Sequence, residues 1–268
     1  MGRSPYERAR RLARDVLREC GADEPHKIDP FAIVGRRNIS VKYGKLEGAT
    51  ARVFHLDGRA IIRISHDIVQ EGRLRFSVAH EVGHFLLGHR IPSHAELDGN
   101  RDPFYNAHQE READAFAVEH NTPEAWTQPF SNLSPSMDTV RTIARTFRSS
   151  IVASAMRYVE LTSGARAVAY SERGCVKWAK TSRAFRGRVP PQMRVGAGAL
   201  AFDYHERGEL DTRARVVPAR AWLGVMARVS EDIHLSEHAE LVREPGWGCV
   251  LSLLWVASPG AIPIVLSR

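Results

Sequence analysis

The residues with most chemical potential are His80, Glu81 and His84. They lie in the run Arg75-Phe76-Ser77-Val78-Ala79-His80-Glu81-Val82-Gly83-His84-Phe85-Leu86-Leu87-Gly88-His89. The spacing His-Glu-x-x-His sets two imidazoles four residues apart. On a helix such positions share a face, about 6 Å from one another. Two imidazoles there can point at one ion, and zinc takes nitrogen ligands at about 2.0–2.1 Å. Glu81 sits to one side, where it reaches a water on the ion without being a ligand. The ion makes that water acidic and the carboxylate takes its proton, so the pattern suits metal-assisted hydrolysis of an amide. The plain alternative is a helix whose histidines are half-buried or surface groups. Phe76, Val78, Val82, Phe85, Leu86 and Leu87 weigh against it, because they make the helix a core element. The small residues Ala79 and Gly83 predict room beside the histidines for an ion and a substrate.

A catalytic zinc site needs a third protein ligand and an open position. His89 stands five residues beyond His84, about 140° around a helix and off its face. The continuation His-x-x-Gly-x-x-His is absent, because Leu87 and Arg90 occupy its last two fixed positions. The better third ligand is in Glu110-Arg111-Glu112-Ala113-Asp114-Ala115-Phe116-Ala117. Glu110 and Asp114 share a helix face. Glu110 there binds the metal, and Asp114 accepts the free N–H of a ligating His. Glu112 points elsewhere. Taken alone, the acidic residues would read as a solvated face. Two nitrogens and one oxygen suit zinc, and also manganese or another divalent ion. Tyr105 is a candidate second oxyanion donor. His108 is near enough in sequence to Glu110 to serve the site. For His55, His66 and His94 the expectation is a satisfied or exposed side chain.

These side chains need elements to hold them. Residues 5–20 read as an amphipathic helix stopped at Gly21, and Phe31–Val34 as a short helix. Strand signals follow at 39–43, 51–55 and 60–64, the last two joined by a hairpin with Asp57-Gly58 as its turn. The His-bearing helix runs from Glu71 to near Gly88, whose missing Cβ suits a left-handed stop. Residues 90–106 read as a loop, and 107–120 as a helix ended by Asn121-Thr122-Pro123. Helical patterning at 137–161 breaks at Arg148-Ser149-Ser150. A helix-turn-helix is one reading of that break, and two ordinary joining helices are the preferred one. Strand candidates then follow at 166–170, 175–179, 222–229, 233–242 and 249–256. The fold class expected is α+β. A domain over 1–130 has a short antiparallel sheet packed on the His-bearing helix. A helical segment over 131–163 leads to a β-rich domain over 164–268.

The 268 residues carry a formal net charge of +7, with 43% apolar and 26% charged residues. That balance fits a soluble globular chain and excludes wholesale disorder. No apolar run reaches the ~18–20 residues that span a bilayer. The charged start of the chain is not a secretory signal. Cys20, Cys175 and Cys249 are odd in number and far apart, so they read as free thiols of a cytoplasmic protein. Residues 165–220 hold 12 basic and 5 acidic residues. Arg173, Lys177, Lys180, Arg183, Arg186 and Arg188 form a run with Trp178 and Phe185 interleaved. That run suits nucleic acid or an acidic protein partner, and equally a solvated basic face.

The stretch from Arg75 to His84, followed by Glu110-x-Glu-Ala-Asp114-Ala-Phe-Ala and then Pro123, resembles the ImmA/IrrE metallopeptidases. The resemblance covers about residues 5–130, and weakly to 163. It implies a zincin-like domain in which His80, His84 and Glu110 bind zinc and Glu81 is the catalytic base. The family's Leu-Leu-Met-Pro ending stands here as His120-Asn121-Thr122-Pro123. The resemblance also implies a protein substrate, a helix-turn-helix repressor whose cleavage releases stress-response or mobile-element genes. It further implies a sensor-like domain after the helical segment. The alternatives from other classes are a DNA-binding regulator and a ligand-sensing regulator with a structural or vestigial metal site.

Overall fold

The computed structural model describes residues 6–46, 50–56, 58–89, 107–223, 233–244 and 247–256. They form two compact units. One comprises the chain as far as Trp126 together with Ala144–Ala153, and the other Thr127–Ile143 with the chain from Ser154 onward.

The first unit begins with α1 (Glu7–Glu19), which buries Ala9, Ala13, Val16 and Leu17 and ends before Gly21 at φ +72°. Helix α2 (Pro30–Arg36) starts with a proline, and the Asp29 carboxylate accepts the Phe31 N–H at 3.0 Å. Strands β1 (Ile39–Gly44), β2 (Ala51–Leu56) and β3 (Arg59–Ser65) form one sheet in the order β1-β3-β2. Asp57 of the expected turn lies outside the described residues, and Gly58 has φ +77°. The sheet is mixed rather than antiparallel, because β1 runs parallel to β3. The reason is apolar content. β3 buries Ala60, Ile62 and Ile64 and takes the centre, while β1 buries little beyond Ile39 and takes an edge.

Helix α3 (Glu71–Leu87) packs Val78, Val82 and Leu87 into the same core as Val53, Ile62 and Ile64. It ends where the sequence indicates, with Gly88 left-handed at φ +70°. Helix α4 (Ala107–Asn121) adds Phe116 to that core. Helix α5 (Glu124–Ser131) follows directly and is not expected from the sequence, where Pro123 reads only as a terminator. Helices α6 (Met137–Phe147) and α7 (Ile151–Leu161) flank the expected break. Arg148 there has φ 51°, and the Ser150 hydroxyl caps α7 by accepting the Ala153 N–H at 3.1 Å. Arg157, one of the basic residues on these helices, is 1% exposed and paired with Glu160 at 3.2 Å.

In the second unit, β4 (Arg166–Glu172), β5 (Cys175–Thr181), β6 (Arg215–Pro218), β7 (His234–Glu244) and β8 (Trp247–Trp255) form a sheet in the order β5-β4-β8-β7-β6, every pair antiparallel. The chain is therefore α+β, with a β-rich C-terminal part. Helix α8 (Leu200–Arg207) and β6 are unannounced by the sequence pattern. Trp222 and Leu223, expected to open a strand, instead close the single-turn helix α9 (Arg220–Leu223); residues 224–232 lie outside the described residues. The cause is a buried carboxylate. Glu237 of β7, fully buried, accepts the Leu200 N–H at 2.8 Å, the Ala201 N–H at 3.2 Å, the Trp222 indole N–H at 3.1 Å and the Ser252 hydroxyl at 2.8 Å. It thus caps α8 from the sheet and holds the indole in place. Burial pushes its carboxyl up, and these four donors oppose the shift.

The start of α3 tests the packing. A Cβ on Gly72 would lie 2.3 Å from the Ser150 nitrogen and 2.6 Å from the Ser149 carbonyl carbon, whereas one on Gly35 meets nothing within 4 Å. Gly72→Ala should therefore cost about 1–3 kcal/mol, while Gly35→Ala gains about 0.5–1 kcal/mol. Urea unfolding of both variants measures the opposite signs.

Candidate metal centre

Helix α3 sets His80 and His84 one turn apart, with ring centroids 4.7 Å and Nε2 atoms 3.0 Å from each other. Glu110, in the first turn of α4, brings Oε2 to 3.3 Å from His80 Nε2 and Oε1 to 3.4 Å from His84 Nε2. One ligand atom from each of the three lies within 4.8 Å of the others, so this group could hold a metal ion. It is the only such group among the described residues. Two imidazole nitrogens and a carboxylate oxygen suit zinc in kind and number.

Gly83 has a different part from the one its size suggests. It does not leave room for a substrate. A Cβ there would lie 3.1–3.2 Å from the Phe116 side chain. Its bare surface lets α4 close on α3, and that approach carries Glu110 to the histidines.

Each histidine is held from behind. His80 Nδ1 lies 2.9 Å from Asp114 Oδ1, the partner one helical turn beyond Glu110. Burial works against charging His80, but the Asp114 and Glu110 carboxylates outweigh it and raise its pKa to about 10. Glu110 is held well below the usual carboxylate range, chiefly by His80 and then by His84. Without a metal, His80 thus carries a proton on the side where the ion would bind.

The Glu81 carboxylate reaches the sheet. Its Oε2 accepts the Val53 N–H of β2 at 2.8 Å. Burial raises its pKa, and the two histidines oppose the shift. A carboxyl raised by burial and still hydrogen-bonded as an acceptor suits a general base.

His89 lies off the α3 face, yet it belongs to this centre. Its ring Nδ1 is 3.0 Å from His84 Nδ1, and its Nε2 is 3.2 Å from Glu112 Oε2. Glu112 therefore points at His89, and His108 Nδ1 reaches the same carboxylate oxygen at 3.3 Å. The missed signal was Gly88. A left-handed stop folds the next residue back over the last turn, so a residue off the ligand face still meets the His84 ring. Burial lowers the His89 pKa, and Glu112 opposes the shift.

Other candidates fall elsewhere. His66 is exposed and stacks on Tyr43, with centroids 6.2 Å apart. Tyr105, His94 and the His55 side chain lie outside the described residues. His120 is buried, stacks on Phe116 and has its pKa lowered to about 4 by burial, so the departure from the apolar ending fills a closed site with polar groups. In the second unit, Lys180 pairs with Glu160 at 2.8 Å. Lys177 and Arg173 lie 3.3 and 3.9 Å from Glu172. Arg183, Arg186 and Arg188 are exposed. Phe185 is not an exposed stacking residue; it is 5% exposed and packs in the core with Leu223. Trp178 stacks on Tyr170 at 5.4 Å. All three cysteines are free.

Residues 34–158 match the family described as Peptidase M78, IrrE N-terminal-like domain. A solved chain described as a Mycobacterium tuberculosis transcriptional regulator matches 93% of this chain and 76% of its own, with 12% identity and a TM-score of 0.57. That likeness is one of fold. No curated protein sequence matches the chain. Among the described residues, no helix is long and apolar enough to cross a membrane.

The His80 proton makes metal binding depend on pH. An ion entering the site must displace it, so affinity rises as protons become scarce. Zinc affinity, read by competition with a coloured chelator, should rise about tenfold per pH unit from pH 7 to 9. It should flatten above about 10. A flat profile between pH 7 and 9 would mean that His80 is already neutral there.

Proposed function

We propose, from the match of residues 34–158 to the family described as IrrE N-terminal-like domain, a zinc-dependent endopeptidase that cleaves a specific helix-turn-helix transcriptional repressor. Cleavage would switch on stress-response or mobile-element genes in the cytoplasm. The observation that carries the reading is the convergence of His80, His84 and Glu110 beside a separately anchored Glu81. His80, His84 and Glu110 would hold the zinc, and Asp114 would orient His80. Manganese or another divalent ion fits the same donor set. Zinc, when bound, polarises the scissile carbonyl and acidifies water. Glu81 takes the proton and passes it to the leaving amine. Its bond to Val53 fixes the carboxylate on the β2 side of the ligands. The zincin-like domain is assigned to 1–130, the joining helices to 131–163 and a sensor-like domain to 164–268. The repressor as substrate rests on the family resemblance.

A second reading is a DNA-binding or ligand-sensing regulator with a structural metal site. The exposed Arg183, Arg186 and Arg188 favour it. Its DNA-binding form requires duplex binding with a steep salt dependence.

The test is Glu81→Gln. The purified wild-type chain, incubated with helix-turn-helix repressors of its own organism, should cut one of them at a single bond. Glu81→Gln should keep its zinc and lose about 10²–10⁴-fold in cleavage rate. Cleavage by the variant at the wild-type rate would refute the assignment of the base.

A further inference from the structure

His84 faces two ways. Its Nε2 is turned toward His80 and Glu110, and its Nδ1 lies 3.0 Å from His89 Nδ1. Two ring nitrogens at that distance need one proton between them, one as donor and the other as acceptor. A neutral imidazole has a single N–H. For His84 to offer the Nε2 lone pair to a metal, its proton must sit on Nδ1. His84 Nδ1–H then donates to His89 Nδ1. His89 must carry its own proton on Nε2, and that nitrogen lies 3.2 Å from Glu112 Oε2, an acceptor. Each step is fixed by the one beyond it, and the series ends on a carboxylate that cannot donate.

The backbone builds this arrangement. After Leu87, the Gly88 N–H donates to the Phe85 carbonyl at 3.2 Å and the His89 N–H to the His84 carbonyl at 3.0 Å. This pair of bonds is a Schellman stop, which returns the residue after the glycine to the residue five before it. His89 is 5% exposed, and the Glu112 side chain 12%. The contact is sheltered from water that would otherwise compete for it.

We propose that His89 and Glu112 are positioning residues, an imidazole–carboxylate relay that holds His84 in its metal-binding tautomer. They do for His84 through one extra ring what Asp114 does directly for His80. The inference rests on the zinc site proposed above.

The experiment measures zinc affinity of the full chain by chelator competition at fixed pH, for wild type, His89→Phe and His89→Gln. Removing such a partner typically weakens metal binding about 10–100-fold, and His89→Phe should show that loss. His89→Gln should recover to within about threefold of wild type, because its carbonyl can accept from His84 and its amide can donate to Glu112. If wild type binds no zinc, the site reading and the relay both fall. If wild type binds and His89→Phe binds as well, the relay alone falls. Equal weakening in both variants also overturns it, since packing rather than hydrogen bonding would then be the cause. Should His89→Phe not fold, the zinc-loaded wild type decides by ¹⁵N spectroscopy. The expected result is a proton on His84 Nδ1 coupled to His89 Nδ1. A proton on His89 Nδ1 directed at His84 would overturn the relay.

Discussion

Two imidazole nitrogens held 3.0 Å apart need something positive between them. In this chain a proton on His80 fills that place, and the three ligand atoms could hold a metal ion there instead. Glu110 supplies negative charge to both nitrogens from the facing helix. Asp114 supplies it from behind one ring, and Glu112, through His89, from behind the other. Three carboxylates thus converge on two histidines. That is more negative charge than one proton neutralises, and a divalent cation neutralises it better.

The backbone exists to make that convergence possible. Gly83 gives Phe116 a surface without a Cβ, so α4, which carries Glu110, packs closely on α3 there. Glu81 stays out of the ligand set because the Val53 amide on the edge strand β2 holds it. The same hydrogen bond ties the sheet to the helix and fixes the Glu81 carboxylate, which shares α3 with His80 and His84. A buried carboxylate organises the second unit as well. Glu237 gathers two backbone amides, an indole and a hydroxyl, and fixes α8 and α9 on the sheet.

Much of this was legible in the sequence, for identifiable reasons. The amphipathic pattern of α1 and the glycine or proline stops of α1, α3 and α4 placed these helices almost to the residue. The four-residue spacings of His80–His84 and Glu110–Asp114 indicated which side chains share a face. Long-range facts were not legible. The parallel β1–β3 pairing depends on which strand is most apolar, not on the order along the chain. His89 is off the ligand face, as its spacing indicates, but its contact with His84 comes from the left-handed stop at Gly88 and is not visible in spacing alone. A glycine beside the histidines looks like space in the sequence, but Gly83 is where Phe116 packs. Trp222 looked like the start of a strand because nothing local reveals that Glu237, fifteen positions later, takes its indole.

The central claim is that His80, His84 and Glu110 form a metal site. Elemental analysis of the purified chain beside a His80→Ala/His84→Ala variant tests it most directly. The account predicts about one zinc per wild-type chain and none in the variant. No metal in the wild type, even after incubation with zinc, would contradict it.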